Sequence, residues 1–277
     1  MCTWNAGKGG NSEATPVVGV VQEELNAVEF ARRRLGIEPD ERQAAVLMSE
    51  AKRGILNCTR QWGKSTIAAA KAVHRAFTRP GSMVLVASPS KRQSGEFLVK
   101  ATELVRRLRV PVRGDGSNEM SLAFANRSRI VGVPGLEKTV RGFSKVSMLL
   151  IDEAARVEDE MYHALRPMLA VGGGDLWLMS TPFGKRGFFY DEWSHGGKEW
   201  ERFRVRATEC PRIPKEFLEE ERRRRKGMFE QEYMTEFVAD DVSVFDRDVV
   251  ERAVDPKVKP LALRLKFGTS MWDPARK

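Results

Sequence analysis

Gly63-Lys64-Ser65-Thr66 stands between a short apolar run, Gly54-Ile55-Leu56-Asn57, and an alanine-rich stretch from Ser65 to Phe77 that has helical character. A strand, a tight loop and a helix in that order bring loop amides and a helix N-terminus around an anion. Lys64 then reaches the β and γ oxygens of a nucleoside triphosphate, and the Ser65 hydroxyl is a ligand for Mg²⁺. A second constellation lies downstream, where the apolar run Met148-Leu149-Leu150-Ile151 ends in Asp152-Glu153. Asp152 is placed to hold Mg²⁺, directly or through water. Glu153 is placed to polarise a water toward the γ-phosphate. Together these residues describe a Mg²⁺-dependent ATPase, because a P-loop kinase has no use for a base on water. One departure stands out: the usual GxxxxGK[ST] spacing puts Cys58 where the first glycine belongs.

The elements that must hold these residues alternate along the chain. Gln22 to Leu35 reads as an amphipathic helix stopped by Gly36, and Pro39-Asp40 opens a second helix through Gln43. Met83 to Ala87, Val146 to Ile151 and Leu176 to Met179 read as buried strands. Two polar-edged strands fall near Leu122 to Ala125 and Arg129 to Val133. Helices are expected over Ser90 to Leu108, about Glu158 to Leu169, and Pro214 to Gly227. Apolar strands separated by helices predict an α/β fold, with a mostly parallel central sheet flanked by helices on both faces. Such sheets bind ligands at the carboxyl ends of their strands, where the polar motifs fall. The expected organisation is a flexible lead-in (1–20), an ATPase core (21–205), a small helical or linker subdomain closing it (206–260), and a short terminal segment (261–277).

Bulk composition narrows the class. The 277 residues are 42% hydrophobic, enough for a packed core. No run of about 18 apolar residues marks a membrane span, and no signal peptide is evident. The expectation is a soluble cytoplasmic protein. Three scattered cysteines and three scattered histidines suggest neither a disulfide framework nor a zinc site. Forty-seven Lys and Arg against 38 Asp and Glu leave a net charge of +9, which favours a polyanionic partner. The basic run Arg222 to Lys226 has two readings: a DNA contact, or the basic last turn that a helix dipole favours. Aromatic residues are not interleaved with the basic ones, which fits phosphate contact with duplex DNA better than base stacking on single strands.

The form of the loop, Arg60-Gln61-Trp62-Gly63-Lys64-Ser65, resembles that of the large terminase subunit, the ATPase motor that packages DNA into tailed-phage heads. A missing first glycine is ordinary in that variant. Pro39-Asp40-x-x-Gln43 resembles the family's adenine-recognising segment, which makes Gln43 the candidate base contact. Arg141-Gly142 resembles its Arg-Gly element, and Ser180-Thr181-Pro182, followed by Gly187 and Phe189-Tyr190, its coupling motif. Phe229-x-Gln231-Glu232-Tyr233 resembles the stretch closing the ATPase region.

The resemblance covers roughly residues 30 to 240 and implies a P-loop NTPase fold of RecA-like (ASCE) type with a small C-terminal subdomain. It also implies a motor that moves double-stranded DNA, working as a homo-oligomeric ring, five copies being expected. Portal and small terminase subunit would be its partners, in the host cytoplasm and transiently at the procapsid portal. Either Arg60 in cis or Arg141, reaching a neighbouring subunit's nucleotide, would stabilise the developing charge. Ser180 and Thr181 would relay loss of the γ-phosphate. Trp272-Asp273 is similar to the start of the family's nuclease domain, but no further carboxylates follow and no nuclease activity is expected. The rival readings are a helicase-like or repair ATPase, for which no second core is evident, and a small-molecule P-loop kinase, against which Glu153 argues.

Overall fold

The structure, a computed structural model, describes residues 25–114, 116, 120–133, 142–224, 226–238 and 253. The lead-in at 1–20, Arg141 and the segment 261–277 with Asp273 lie outside the described residues. The strands are β1 (Arg53–Cys58), β2 (Met83–Ala87), β3 (Val112–Arg113), β4 (Ser121–Phe124), β5 (Arg129–Val133), β6 (Met148–Asp152), β7 (Asp175–Ser180) and β8 (Trp200–Val205). The helices are α1 (Ala27–Leu35), α2 (Glu41–Met48), α3 (Lys64–Thr78), α4 (Lys91–Arg107), α5 (Asp159–Leu165), α6 (Gly187–His195), α7 (Lys215–Arg224) and α8 (Lys226–Glu232).

All eight strands join one sheet in the order β3-β4-β5-β2-β6-β7-β1-β8. From β5 to β8 every pairing is parallel, and β3 and β4 add an antiparallel edge. Side chains alternate across the sheet with the period of two that strands impose. Leu56, Val86, Leu150 and Met179 face the layer of α1 to α4, whereas Ile55, Leu85, Leu149 and Leu178 face α5 and α6. Both faces being dry explains why the central strands read as unbroken apolar runs.

Two contacts fix the first layer against the sheet. Gly54 lies opposite Trp177 in register, and a Cβ there would stand 2.4 Å from the indole Cε3, so only glycine lets that ring lie flat. Lys71 of α3 places its Nζ 4.4 Å from the centre of the Trp177 ring. The same ammonium donates to the carbonyls of Val46, Leu47 and Ser49 at 3.0, 3.3 and 2.7 Å. A cation thus closes the C-terminal end of α2 and ties α2, which carries Gln43, to the helix that follows the candidate phosphate loop.

Three boundaries differ from the sequence expectation. Asn26 accepts from the amides of Val28 and Glu29, so α1 starts at Ala27 and leaves Leu25 outside. Pro167 converts the end of the expected 158–169 helix into a 3-10 turn over Arg166–Leu169. The helix expected from Pro214 to Gly227 is two helices, since Phe229 of α8 turns back to pack on Leu218 and Ala207. Helix α6 and strand β8 were not expected. In Trp200-Glu-Arg-Phe-Arg-Val, charged residues on an edge strand break the apolar run that marks the central strands. Among the described residues no helix is long and apolar enough to cross a membrane.

Candidate active site

The loop between β1 and α3 is built on two left-handed residues, Gln61 (φ 64°) and Gly63 (φ 97°). Gly63 caps α3 without any side-chain hydrogen bond, so the first amides of that helix face outward, free for an anion. Cys58, at the position of the expected first glycine, is the last residue of β1 and has ordinary strand geometry. The loop requires no positive φ there, which accounts for a cysteine where the generic pattern has glycine. Its side chain is wholly buried, and burial pushes the thiol up to about 12, so it is an inert core group.

Ligand cavities commonly measure about 300–1,000 Å³. The opening over this loop measures about 570 Å³. Arg60, Gln61, Gly63, Lys64, Ser65 and Thr66 form one wall and Glu153 with Arg156 another. The Lys64 Nζ lies 3.9 Å from Glu153 Oε1. The Ser65 hydroxyl donates to Asp152 Oδ1 at 3.3 Å, and that oxygen also accepts from the Glu153 amide at 3.1 Å. Asp152 is buried, and burial, reinforced by the Glu153 charge, pushes its carboxyl up to about 6. A buried acid beside a hydroxyl is an all-oxygen donor pair in want of a cation. It fits Mg²⁺, which takes one or two protein oxygens and fills its other positions with phosphate and water. Glu153 itself adopts φ 52°, an uncommon conformation for this residue type that turns its carboxylate off the strand end and over the cavity.

Two residues of the expected nucleotide set serve the loop from outside the cavity. The Trp62 indole is 1% exposed and belongs to the core beneath the loop. Its carbonyl accepts from the Gln43 side-chain amide at 2.8 Å and from the Arg212 guanidinium. The other end of the Gln43 side chain accepts from the Asp40 amide at 3.1 Å, completing a capping box on α2. In this arrangement Gln43 straps the tip of the loop to α2. Arg212, which also lies 3.7 Å from Asp40, had no motif to announce it.

Ser180 ends β7, one strand from Asp152 and in register with Asn57 of β1, and Thr181 follows it. Both hydroxyls are buried and have no hydrogen-bond partner among the described residues. Ser88, at the end of β2 on the other side of β6, is in the same condition.

The C-terminal stretch 229–233 binds the site together. The Glu232 carboxylate accepts from Arg60 (Nε to Oε2 2.5 Å) and from Arg156 (Nη2 to Oε1 3.3 Å). Arg156 in turn pairs with Glu153 at 3.5 Å and lies 4.7 Å from the centre of the Phe183 ring. The Glu232 carbonyl accepts from Thr59, and Gln231 accepts from the Gly184 amide at 3.0 Å. One short helix thereby touches the candidate phosphate loop, the residue following the paired acids, and the segment after Ser180-Thr181. Arg156 was missed in the sequence because a lone arginine three residues past an acid reads as an ordinary surface i,i+3 pair.

The N-terminal part of the T4-like-virus type of terminase large subunit matches residues 55–252 of this chain. Terminase large subunits of Thermus virus P23-45 and Thermus phage G20c are each 28% identical to it, over 247 and 250 residues. Each of these matches covers 76% of this chain and 51% of the relative, so the chain spans about half the length of the curated relatives it matches. The large terminase ATPase domain of Thermus phage P74-26 superimposes with a TM-score of 0.68 at 26% identity, covering 77% of this chain and all of that one. The large terminase of a thermophilic bacteriophage, in complex with ADP, has the same fold at 15% identity and a TM-score of 0.62, over 72% of this chain and 53% of that one. The family match spans more than half of the chain, and the chain belongs to the terminase large subunit family, T4-like-virus type, in its N-terminal part.

Proposed function

We propose that this chain is the ATP-hydrolysing motor part of a large terminase, moving double-stranded DNA into a capsid by hydrolysis of Mg²⁺·ATP. The observation that carries the reading is the convergence of Lys64, Ser65 and Glu153 on one cavity at the carboxyl ends of β1 and β6, with Asp152 hydrogen-bonded to Ser65. Residues 60–66 cradle the phosphates. Ser65 and Asp152 would hold Mg²⁺, which when bound neutralises β- and γ-phosphate charge. Lys64 exchanges its contact with Glu153 for the phosphate oxygens, and Glu153 then orients a water for in-line attack. Either Arg60 in cis or Arg141 from a neighbouring subunit stabilises the charge that develops. Ser180 and Thr181 sense the end of the phosphate chain from the adjacent strand.

Residues 21–205 act as the core and 206–260 as the subdomain closing it, and 261–277 resembles the start of a nuclease domain. Portal, small subunit and a ring of five copies are the partners this reading expects. Their place is the host cytoplasm and, transiently, the procapsid portal. The test is steady-state ATP turnover with and without duplex DNA over a range of protein and salt concentrations. Stimulation that fades between about 50 and 200 mM salt is expected, since phosphate contacts release counterions. Turnover indifferent to DNA at every concentration would count against a motor.

Glu232 closes the site from behind, and its removal has a defined cost. Glu232→Gln keeps shape and some hydrogen bonding but leaves Arg60 and Arg156 without their shared negative charge. A buried acid holding two arginines is worth several kcal/mol when broken, but Arg60 is 58% exposed in its side chain, which screens its half. The expected loss is about 1–3 kcal/mol of unfolding free energy by urea titration. Combined with Arg60→Ala, the loss should be less than the sum of the two single effects by at least about 0.5 kcal/mol. Strict additivity would mean that the pair is not coupled in solution.

A further inference from the structure

Helix α4 forms the remaining wall of the cavity. Its Gln93 and Lys100, seven residues and two turns apart, share one face and both line the opening, while Phe97 between them is buried in the core. The order of strands puts β2, from which α4 follows, on the far side of β6 from β1. The candidate phosphate loop and α4 therefore flank Asp152 and Glu153 from opposite sides. An anion seated on the loop and extending over the paired acids points its outer end toward α4.

The charges around the cavity are unequally provided for. Lys64 and Arg156 each lie against Glu153, and Arg60 lies against Glu232. The Gln93 carbonyl oxygen is engaged with the Ser90 hydroxyl. Lys100 is half-buried and makes no ion pair and no hydrogen bond among the described residues. A lysine on the wall of a polar cavity, without an ion-pair partner, lacks an anion of the kind the cavity is shaped to hold.

We infer that Lys100 is a further phosphate contact, which meets the terminal phosphate of ATP from the α4 side, opposite Lys64. The inference rests on the ATP-site reading above and adds a residue to it. A contact with the terminal phosphate separates ATP from ADP, whereas a contact with the inner phosphates or the base serves both alike.

The test uses the full chain and measures equilibrium binding of ADP and of ATPγS, with Mg²⁺, to the parent, Lys100→Met, Lys100→Arg and Lys64→Ala proteins. Lys100→Met keeps the apolar stem, and thermal melting checks that it folds. Lys100→Gln serves as a second neutral variant if it does not. The expected result is that Lys100→Met weakens ATPγS binding on the order of tenfold while ADP binding changes less than about twofold, with Lys100→Arg recovering most of the loss. Parent-like affinity for both nucleotides in Lys100→Met, while Lys64→Ala loses both, overturns the role of Lys100 and leaves the site reading standing. Equal weakening for ADP and ATPγS also overturns it. A parent protein that binds neither nucleotide, or a Lys64→Ala protein that binds both normally, overturns the site reading and this inference together.

Discussion

Glu153→Gln leaves ATP bound and lowers steady-state hydrolysis by about 10²–10⁴-fold, the range that a positioned general base contributes. The amide has the shape of the acid, so the left-handed turn at residue 153 and the seat of Ser65 on Asp152 persist. What disappears is the ability to take a proton from the attacking water. Removing a negative charge 3.9 Å from the Lys64 Nζ also removes a competitor for the phosphates, so ATP affinity is expected to be equal to the parent's or higher. Fluorescent-nucleotide binding and a coupled assay of ADP release measure the two quantities separately. Hydrolysis at the parent rate would remove Glu153 from the water-activating role and send the search for the base elsewhere in the cavity wall.

Lys64→Ala has the opposite signature. Its ammonium is the one cation of the loop that is buried, at 6% exposure, and each charge-assisted hydrogen bond to phosphate is worth about 1.5–3 kcal/mol. Loss of contacts to both β and γ oxygens predicts a fall in ATP affinity of at least about 10²-fold, with ADP affinity falling as well. The apoprotein should melt near the parent temperature, because α3 is held by Ile67, Ala69, Ala70 and Val73 in the core. Loss of nucleotide binding together with a large fall in melting temperature would assign Lys64 to the architecture instead. Between them the two substitutions separate binding from chemistry.

The parts of this site that were legible in the chain are those whose residues are close together in it. Gly63-Lys64-Ser65-Thr66 depends on a glycine able to adopt φ 97° and on helix amides that begin at the next residue. Asp152-Glu153 depends on a five-residue apolar strand ending where polar side chains start. The capping box of Asp40 and Gln43 spans three residues. Such features follow from local backbone preference and from the apolar period, which act over a turn of helix or the length of a strand. They sufficed for the α/β class, for the central strands, and for the two acids and the lysine that meet in one cavity.

What joined these parts was not legible, because it is set by the order of strands in the sheet. Arg60 meets Glu232 across 172 positions, Asn57 donates to Thr235 across 178, and the Trp62 carbonyl receives Arg212 across 150. In the chain, Arg156 and Arg212 look like any other members of a sequence that is 31% charged, and Glu232 stands out only as part of a stretch resembling the close of the ATPase region, not as a partner of Arg60. Charge carries no periodic mark and no preferred neighbour until folding removes it from water and requires a partner. Lys100 passed unnoticed for the same reason, as one of several basic residues on an amphipathic helix. The loop that opened the sequence reading keeps its cysteine because that cysteine ends a strand. Its tryptophan, expected beside the nucleotide, faces the core because the sheet and α2 leave it an apolar place there. Local chemistry named the candidate residues of the site; burial and strand order chose the residues that hold them.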